Sequence, residues 1–486
     1  LVDPGVLFLP HLILRGVVVF RVDKTNANGL YGFTVRDFVP DTSDVNLYLD
    51  LRDALDLDDF VMDYETSGQS AVHPSLMLRT IVYGLTHGIV SGRKLATACK
   101  FDNRFLVLSG EQMPDARTFQ RFLVRHADRI PGLFVQVVQL AQEMGLVKLG
   151  TIAVDGSRFK ANTSRNKAMS YGRMVTAVEA LEHELAQMRK SLEEANSVEM
   201  DEVVLKGEIA HREKRLATIR AAKERIEMEK QGQVIDLKTQ KSFNDLDALP
   251  CYTKQNGMSY VFNMTTAVDE ESQIIVGCES HANTNDQDSI VPILDAVKEA
   301  TGKYPENCLA DAGFKKPENL SAMEDRDILP FVATGKGEET NSKTCLESVV
   351  YDEGGDRFRC PKGKIIPEAE QEGIRRILAP PKGFCIGCSK TATCPLFEKQ
   401  GRGVTLPPEK ARAAAARNLE RMRSAQGKAK YKNRKAIVET PFGNMKNKSI
   451  KIFVTGKDKV RIHFKLFAIA HNVEKMIGKM AKAKAA

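Results

Sequence analysis

No stretch of this 486-residue sequence is apolar for long enough to cross a bilayer. The nearest approach, VLFLPHLILRGVVVF at residues 6–20, is interrupted by Pro10, His11 and Arg15. It also has neither the basic leader nor the small-residue cleavage site of a secretory signal. Cysteine is sparse: nine residues exclude a disulfide-stapled fold, and without an export signal the thiols are expected to be reduced, in the cytoplasm. Compositional extremes are absent too. Hydrophobic and charged fractions of 42% and 28% exclude a disordered or membrane-embedded chain. The first residue is Leu, and residues 1–44 are expected to be an N-terminal extension, an upstream segment of the reading frame.

The charge that is present is unevenly spread. From Lys399 to Ala486 there are 23 Lys and Arg against 5 Asp and Glu, so a whole-chain charge of +8 leaves the preceding part net acidic. A basic C-terminal fifth on an acidic remainder has the charge pattern of a polyanion-binding surface. A solvated basic tail would carry the same charge.

At 486 residues, two to four structural units are expected. Residues 45–140 carry apolar side chains at three- and four-residue spacing, which predicts helices. His73-Pro74 marks one helix start, Ser91 and Asp115 are predicted N-caps, and Arg117, Arg121 and Arg125 line a late helix. Short helices with tight turns suit a helix-turn-helix DNA reader, although a plain bundle shows the same pattern. Residues 145–173 open with a short buried strand that runs into Asp155 and a predicted Asp-Gly turn, followed by basic Arg158 and Lys160. Across 174–240, Leu181, Leu185, Met188 and Leu192, then Leu205, Ile209, Leu216, Ile219 and Ile226, keep heptad spacing in two blocks, an antiparallel helical hairpin.

Residues 241–336 return to strands. A hairpin over 259–277 turns at Asp269–Ser272, and a helix, the strand ending in Asp311, a second helix and a further strand follow. Three early strands and then alternating helix and strand make a mixed α/β sheet. Residues 337–429 form a loop-rich, cysteine-bearing insertion, and 430–480 hold two helices, the first carrying Glu439.

Asp155, Asp311 and Glu439 are the carboxylates such a sheet can gather. Three convergent carboxylates suit hard divalent cations, Mg²⁺ or Mn²⁺. Two such ions about 4 Å apart activate a water or a 3′-hydroxyl and stabilise the leaving oxygen of an in-line displacement. Tyr431, Arg434, Lys435 and Lys446 flank Glu439, where they would hold phosphates.

The segments AVDGSRFKAN around Asp155, LADAGFKKPENL around Asp311 and RKAIVETPFGNMK around Glu439 resemble the bacterial insertion-sequence transposases of the DDE type. The stretch HPSLMLRTIVYGLTHGIVSGRKL with PDARTFQRF resembles the helical domain that precedes their core. The resemblance spans roughly residues 45–475 and implies an RNase H-like catalytic core, preceded by the all-helical domain and interrupted by the hairpin and cysteine-bearing insertions. It implies metal-dependent cleavage at transposon ends and strand transfer into target DNA, with Asp155, Asp311 and Glu439 as catalytic metal ligands. It also implies double-stranded DNA as partner, a dimer or larger assembly on paired ends, and a nucleoid-associated bacterial protein. Lys446 falls seven residues after Glu439, as in many relatives, whereas Arg434 sits one place early and Lys435 takes the expected arginine position. A domesticated relative that binds DNA without cutting, or a nuclease that only hydrolyses, would share these motifs.

Other residues compete for notice. Asp245 with Asp247 and Asp286 with Asp288 form Asp-x-Asp pairs, of which Asp288 is expected to be a helix N-cap and the first pair to precede a turn-like LPCYTKQNG. Glu179, Glu182 and Glu184 belong to the hairpin exterior. Cys360, Cys385, Cys388 and Cys394 have the arrangement C-x24-C-x2-C-x5-C, which fits a structural zinc knuckle or an ordinary loop with reduced thiols. The other five cysteines are expected to be packing residues.

Overall fold

Capping side chains start the helices of the first unit. In the computed structural model its first helices are α1 (Val45–Asp50), α2 (Asp58–Met62), α3 (Pro74–Thr86), α4 (Gly92–Phe101), α5 (Asn103–Leu108), α6 (Ala116–Arg125) and α7 (Ile130–Glu143). Pro74 opens α3, where a missing N–H costs nothing, and His73 ahead of it accepts from Ser75 N. Ser91 and Asp115 cap α4 and α6 by accepting from Lys94 N and Thr118 N. Helix α3 is buried along its whole length. Its Arg79 is held at the C-terminal end of α5, donating to the carbonyls of Leu108 and Val107. Helix α6 buries Phe119 and Phe122 and exposes Arg117, Arg121 and Arg125. Gly92 lets α4 lie close to α6, since a Cβ there would be 3.1 Å from the Ala116 carbonyl oxygen.

The structure describes residues 20–25, 34–41, 43–50, 54–64, 70–194, 199–253, 257–281, 287–334, 350–352, 357–360, 362–372, 375–378, 380–389, 404–448 and 452–485. Residues 1–19 of the expected N-terminal extension, the predicted hairpin break at Asn196-Ser197, Asp286 and Cys394 lie outside them. The chain divides into two units, residues 1–144, 444–450 and 465–486 in the first and 145–443 with 451–464 in the second.

The second unit begins with β1 (Thr151–Lys160) and β2 (Ala168–Ser170), then the long helices α8 (Tyr171–Glu194) and α9 (Glu199–Glu229). These helices pack on one another through a cluster that includes Leu181, Leu185, Ile209, Leu216, Ile219 and Ile226. Strands β3 (Gln240–Ser242), β4 (Leu249–Thr253), β5 (Gly257–Asp269) and β6 (Ile275–His281) follow. Then come α10 (Ile290–Thr301), β7 (Asn307–Ala310), α11 (Pro317–Glu324) and β8 (Leu329–Val332). The main sheet runs β4-β5-β1-β7-β8, with β6 also on β5. β1 is antiparallel to β5 and parallel to β7, and β7 is parallel to β8, so the sheet is mixed. Gly277 brings α10 against β6: a Cβ there would meet Val297 Cγ2 at 2.9 Å.

Beyond the sheet lie the short strands β9 (Val350–Asp352), β10 (Arg357–Arg359), β11 (Ile365–Ile366), β12 (Glu368–Glu372), β13 (Arg375–Leu378) and β14 (Val404–Leu406). They form two three-stranded sheets, β11-β10-β9 and β12-β13-β14. The chain ends with α12 (Glu409–Arg423), α13 (Ala425–Lys432), α14 (Arg434–Asn447) and α15 (Lys457–Ala485).

Three local expectations are corrected. The predicted Asp-Gly turn after Asp155 is not a turn, because β1 continues through Gly156 to Lys160 in an unbroken antiparallel ladder with β5. The turn-like LPCYT is strand β4, which uses the free edge of β5. Asp288 does not cap α10; Ser289 holds the N-cap position and Asp288 pairs with Lys316 at 3.0 Å.

Candidate active site

The register of two neighbouring strands sets the site. The parallel ladder between β1 and β7 ends at Val154 opposite Ala310. Asp155 and Asp311 are the next residues on each strand, so the register brings them out side by side on one face. Asp155 remains in β1, opposite Thr266 of β5. Asp311 leaves β7 as the cap of a short turn, accepting from Gly313 N at 2.8 Å.

Both carboxylates converge on one cation. Arg434, at the start of α14, donates from Nη2 to Asp155 Oδ1 at 3.0 Å, and the same nitrogen is 3.9 Å from Asp311 Oδ2. The Arg434 side chain is 8% exposed, against 23% for Asp155 and 44% for Asp311. Its Nε is buried with no hydrogen-bond partner, as is Thr266 Oγ1 on the strand facing Asp155. Cys308, buried in β7, has its thiol pushed up to about 12 by burial, with the nearby guanidinium opposing that shift. Burial likewise raises the Tyr431 phenol; Arg434 lowers it, and Asp311 and Asp155 raise it.

Helix α14 is anchored to the sheet by packing and by Gln273. Phe442 packs near Phe159 of β1 with ring centroids 6.3 Å apart, and Gln273 Nε2 donates to the Ala436 carbonyl at 3.3 Å and Thr440 Oγ1 at 3.4 Å. Ile437, Val438, Pro441 and Phe442 are buried with Arg434, whereas Lys435, Glu439 and Lys446 are exposed. Glu439 is five residues beyond Arg434, roughly 140° around the helix axis. The aspartates and Arg434 are therefore brought together, and Glu439 points in a different direction from the arginine. Among the described residues no group of three or more His, Cys, Asp or Glu side chains is close enough to hold a metal.

Strand alternation separates the other predicted basic residues. Asp155, Ser157 and Phe159 share one face of β1, so Arg158 and Lys160 lie on the opposite face, both exposed. Asp245 and Asp247 brace the loop entering α15 instead, accepting from Gly456 N at 3.2 Å and Lys457 N at 2.9 Å; Asp247 also pairs with Arg225. Glu182 and Glu184 form ion pairs with Arg220 and Arg212 across the α8–α9 pair.

Cys360, Cys385 and Cys388 line one depression of about 240 Å³ with Lys362, Lys364 and Phe384. Each end is a tight turn: Gly363 N donates to the Cys360 carbonyl and Cys388 N to the Cys385 carbonyl. Cys99, Cys251, Cys278 and Cys308 are buried.

Comparison with known families gives two matches. A family model described as a transposase DDE domain matches residues 359–477, and one described as a transposase domain (DUF772) matches residues 33–125. Both matched families are of the transposase class. Together the two matches support an insertion-sequence transposase of the DDE type. The first match spans Arg434 and Glu439 but neither aspartate. No curated protein and no solved structure matches the chain. No helix among the described residues is long and apolar enough to cross a membrane.

Sequence reasoning missed the role of Arg434. It was legible as a basic residue near the glutamate, but its burial between two aspartates depends on contacts with strands more than 120 residues away.

Proposed function

We propose that the chain is a metal-dependent polynucleotidyl transferase that cuts at transposon ends and joins them to target DNA. The observation that carries this reading is the register by which Asp155 and Asp311 leave neighbouring parallel strands side by side. Two aspartates facing one cationic group, with a partnerless Thr266 hydroxyl on the strand opposite Asp155, form an oxygen-rich setting suited to Mg²⁺ or Mn²⁺. Such ions, when bound, supply Lewis-acid activation for in-line displacement. Asp155 and Asp311 fix the acidic centre at the end of a buried ladder. Glu439 joins them as third carboxylate on the support of the transposase DDE domain match that spans it.

The antiparallel set β6, β5 and β1, extended by parallel β7 and β8, supports an RNase H-like core. We assign residues 145–173, 241–336 and 430–480 to that core, 45–140 to DNA binding, 174–240 to a helical insertion and 337–429 to the cysteine-bearing insertion. Lys435, Lys446, Arg158 and Lys160 are exposed and suited to phosphate contact, with Tyr431 beside the aspartates. Double-stranded DNA is the partner, held as paired ends by at least two copies at the bacterial nucleoid.

Strand transfer with duplexes carrying the element's own ends tests this reading. Asp155→Asn and Asp311→Asn are expected to lower joining by about 10³-fold or more while duplex binding persists. Hydrolysis without joining would make the chain a nuclease, and binding without cleavage would make it a DNA-binding relative. The spacing of Cys385 and Cys388, which line one depression with Cys360, supports a structural zinc held by thiolates. Elemental analysis of the purified protein should find zinc that is lost in Cys385→Ser; the same zinc content in both proteins would remove that assignment.

A further inference from the structure

The contact between Arg434 and the aspartates is incompletely made. One Nη2 serves both carboxylates, with a hydrogen bond to Asp155 at 3.0 Å and only an ion pair to Asp311 at 3.9 Å. The guanidinium Nε is buried with no hydrogen-bond partner, although an arginine fork has donors enough for two carboxylates. One guanidinium also offsets only one of the two carboxylate charges. Opposite Asp155, Thr266 Oγ1 is a second buried polar atom without a partner. Two orphaned atoms beside an acidic pair that shares one guanidinium nitrogen make an arrangement that a better cation can replace.

We propose that Arg434 is an exchangeable internal cation of the Asp155–Asp311 pair, which a divalent metal displaces. The proposal rests on the reading of these aspartates as the metal-binding centre. A divalent ion with oxygen preference offsets both carboxylates, whereas the guanidinium cannot. Arg434 belongs to α14, a different element from either aspartate, so its departure leaves the β1–β7 ladder intact. It therefore keeps the acidic pair from facing itself before metal arrives and lowers apparent metal affinity by competing for the same oxygens. Arg434 is a positioning residue in this scheme.

Mn²⁺ binding to the full-length chain, followed by the electron paramagnetic resonance signal of the free ion, tests the exchange. Arg434→Gln and Arg434→Met should each lower the Mn²⁺ midpoint by roughly fivefold or more, the range of ordinary coupling between sites. In EDTA both variants should melt below the unmodified protein, and saturating Mn²⁺ should close that gap. An unchanged or raised midpoint, or a melting deficit that Mn²⁺ leaves untouched, makes Arg434 a fixed brace and overturns the proposal. Variants that fold only with Mn²⁺ support it; variants that fold under neither condition overturn it. Asp155→Asn is the separate control. If it abolishes Mn²⁺ binding, the metal-centre reading stands whatever Arg434 does, and if it binds as the unmodified protein does, that reading itself fails.

Discussion

Asp269 shows how much one buried carboxylate can organise. It is 2% exposed and ends β5, where Oδ1 accepts from Glu271 N, Ser272 N and Ser272 Oγ while Oδ2 accepts from Leu149 N. The β5–β6 turn and the approach to β1 are thus tied to one side chain. Asp269→Ala leaves several buried donors unmatched and is expected to destabilise the protein by about 3 kcal/mol, read as a lower urea midpoint. Asp269→Asn, which keeps acceptor capacity on one oxygen, should cost less. The Asp269–Ser272 turn was legible because a polar cluster separates two β-branched runs. The place of Asp155 at a ladder end was legible for a partly mistaken reason. Asp-Gly suggested a strand end, yet β1 continues past it, and the ladder that ends there is the one to β7. The burial of Arg434 was not legible, because a sequence distinguishes a basic residue from an acidic one but not a buried side chain from an exposed one.

At the scale of elements, helices read better than short strands. The N-caps of α4 and α6 and the heptad rows of α8 and α9 are local signals, set by neighbours three or four residues away. Strand β4 escaped notice because its reason for being extended is the edge of β5. Helix α6 also carries a pH consequence that local pattern does not reveal. At its C-terminal end His126 has a fully buried side chain, stacked among Phe60, Phe122 and Tyr64. Burial pushes its imidazole down to about 4, even though Asp63 lies 3.2 Å from Nδ1 and favours the charged form. The unfolded chain protonates this group near its usual 6.5. Its contribution is therefore complete above pH 6.5 and is lost as the pH falls towards 4, by about 3 kcal/mol in all. Thermal melts from pH 7.5 to 4.5 should show a steep fall in the native protein and a shallower one in His126→Gln. His463, pushed by burial to about 4 as well, retains part of the slope.

For the molecule as a whole, the sequence overstates the charge available to DNA. The basic C-terminal fifth has a surplus of 18 positive charges by count, but the fold pairs several of them with its own acidic side chains. Arg417 and Lys410 of α12 pair with Glu324 and Asp325, Arg434 is buried against Asp155, and Lys448 pairs with Glu474. What faces solvent outside these ion pairs on α12, α13 and α14 is a smaller set that includes Arg423, Lys428, Lys432 and Lys435. Counterion release makes the distinction measurable, because each cation seated on a phosphate adds about 0.9 to the slope of log affinity against log salt. Fluorescence anisotropy of a labelled duplex, titrated between low and moderate salt, should therefore give a slope that falls by about 0.9 for each of Lys428→Gln, Lys432→Gln and Lys435→Gln. Lys410→Gln and Arg417→Gln should leave it nearly unchanged, since their charges are already matched by acidic neighbours. Equal losses from both groups would mean that the ion pairs on α12 open to receive DNA, and the charge count from sequence would then be the better guide.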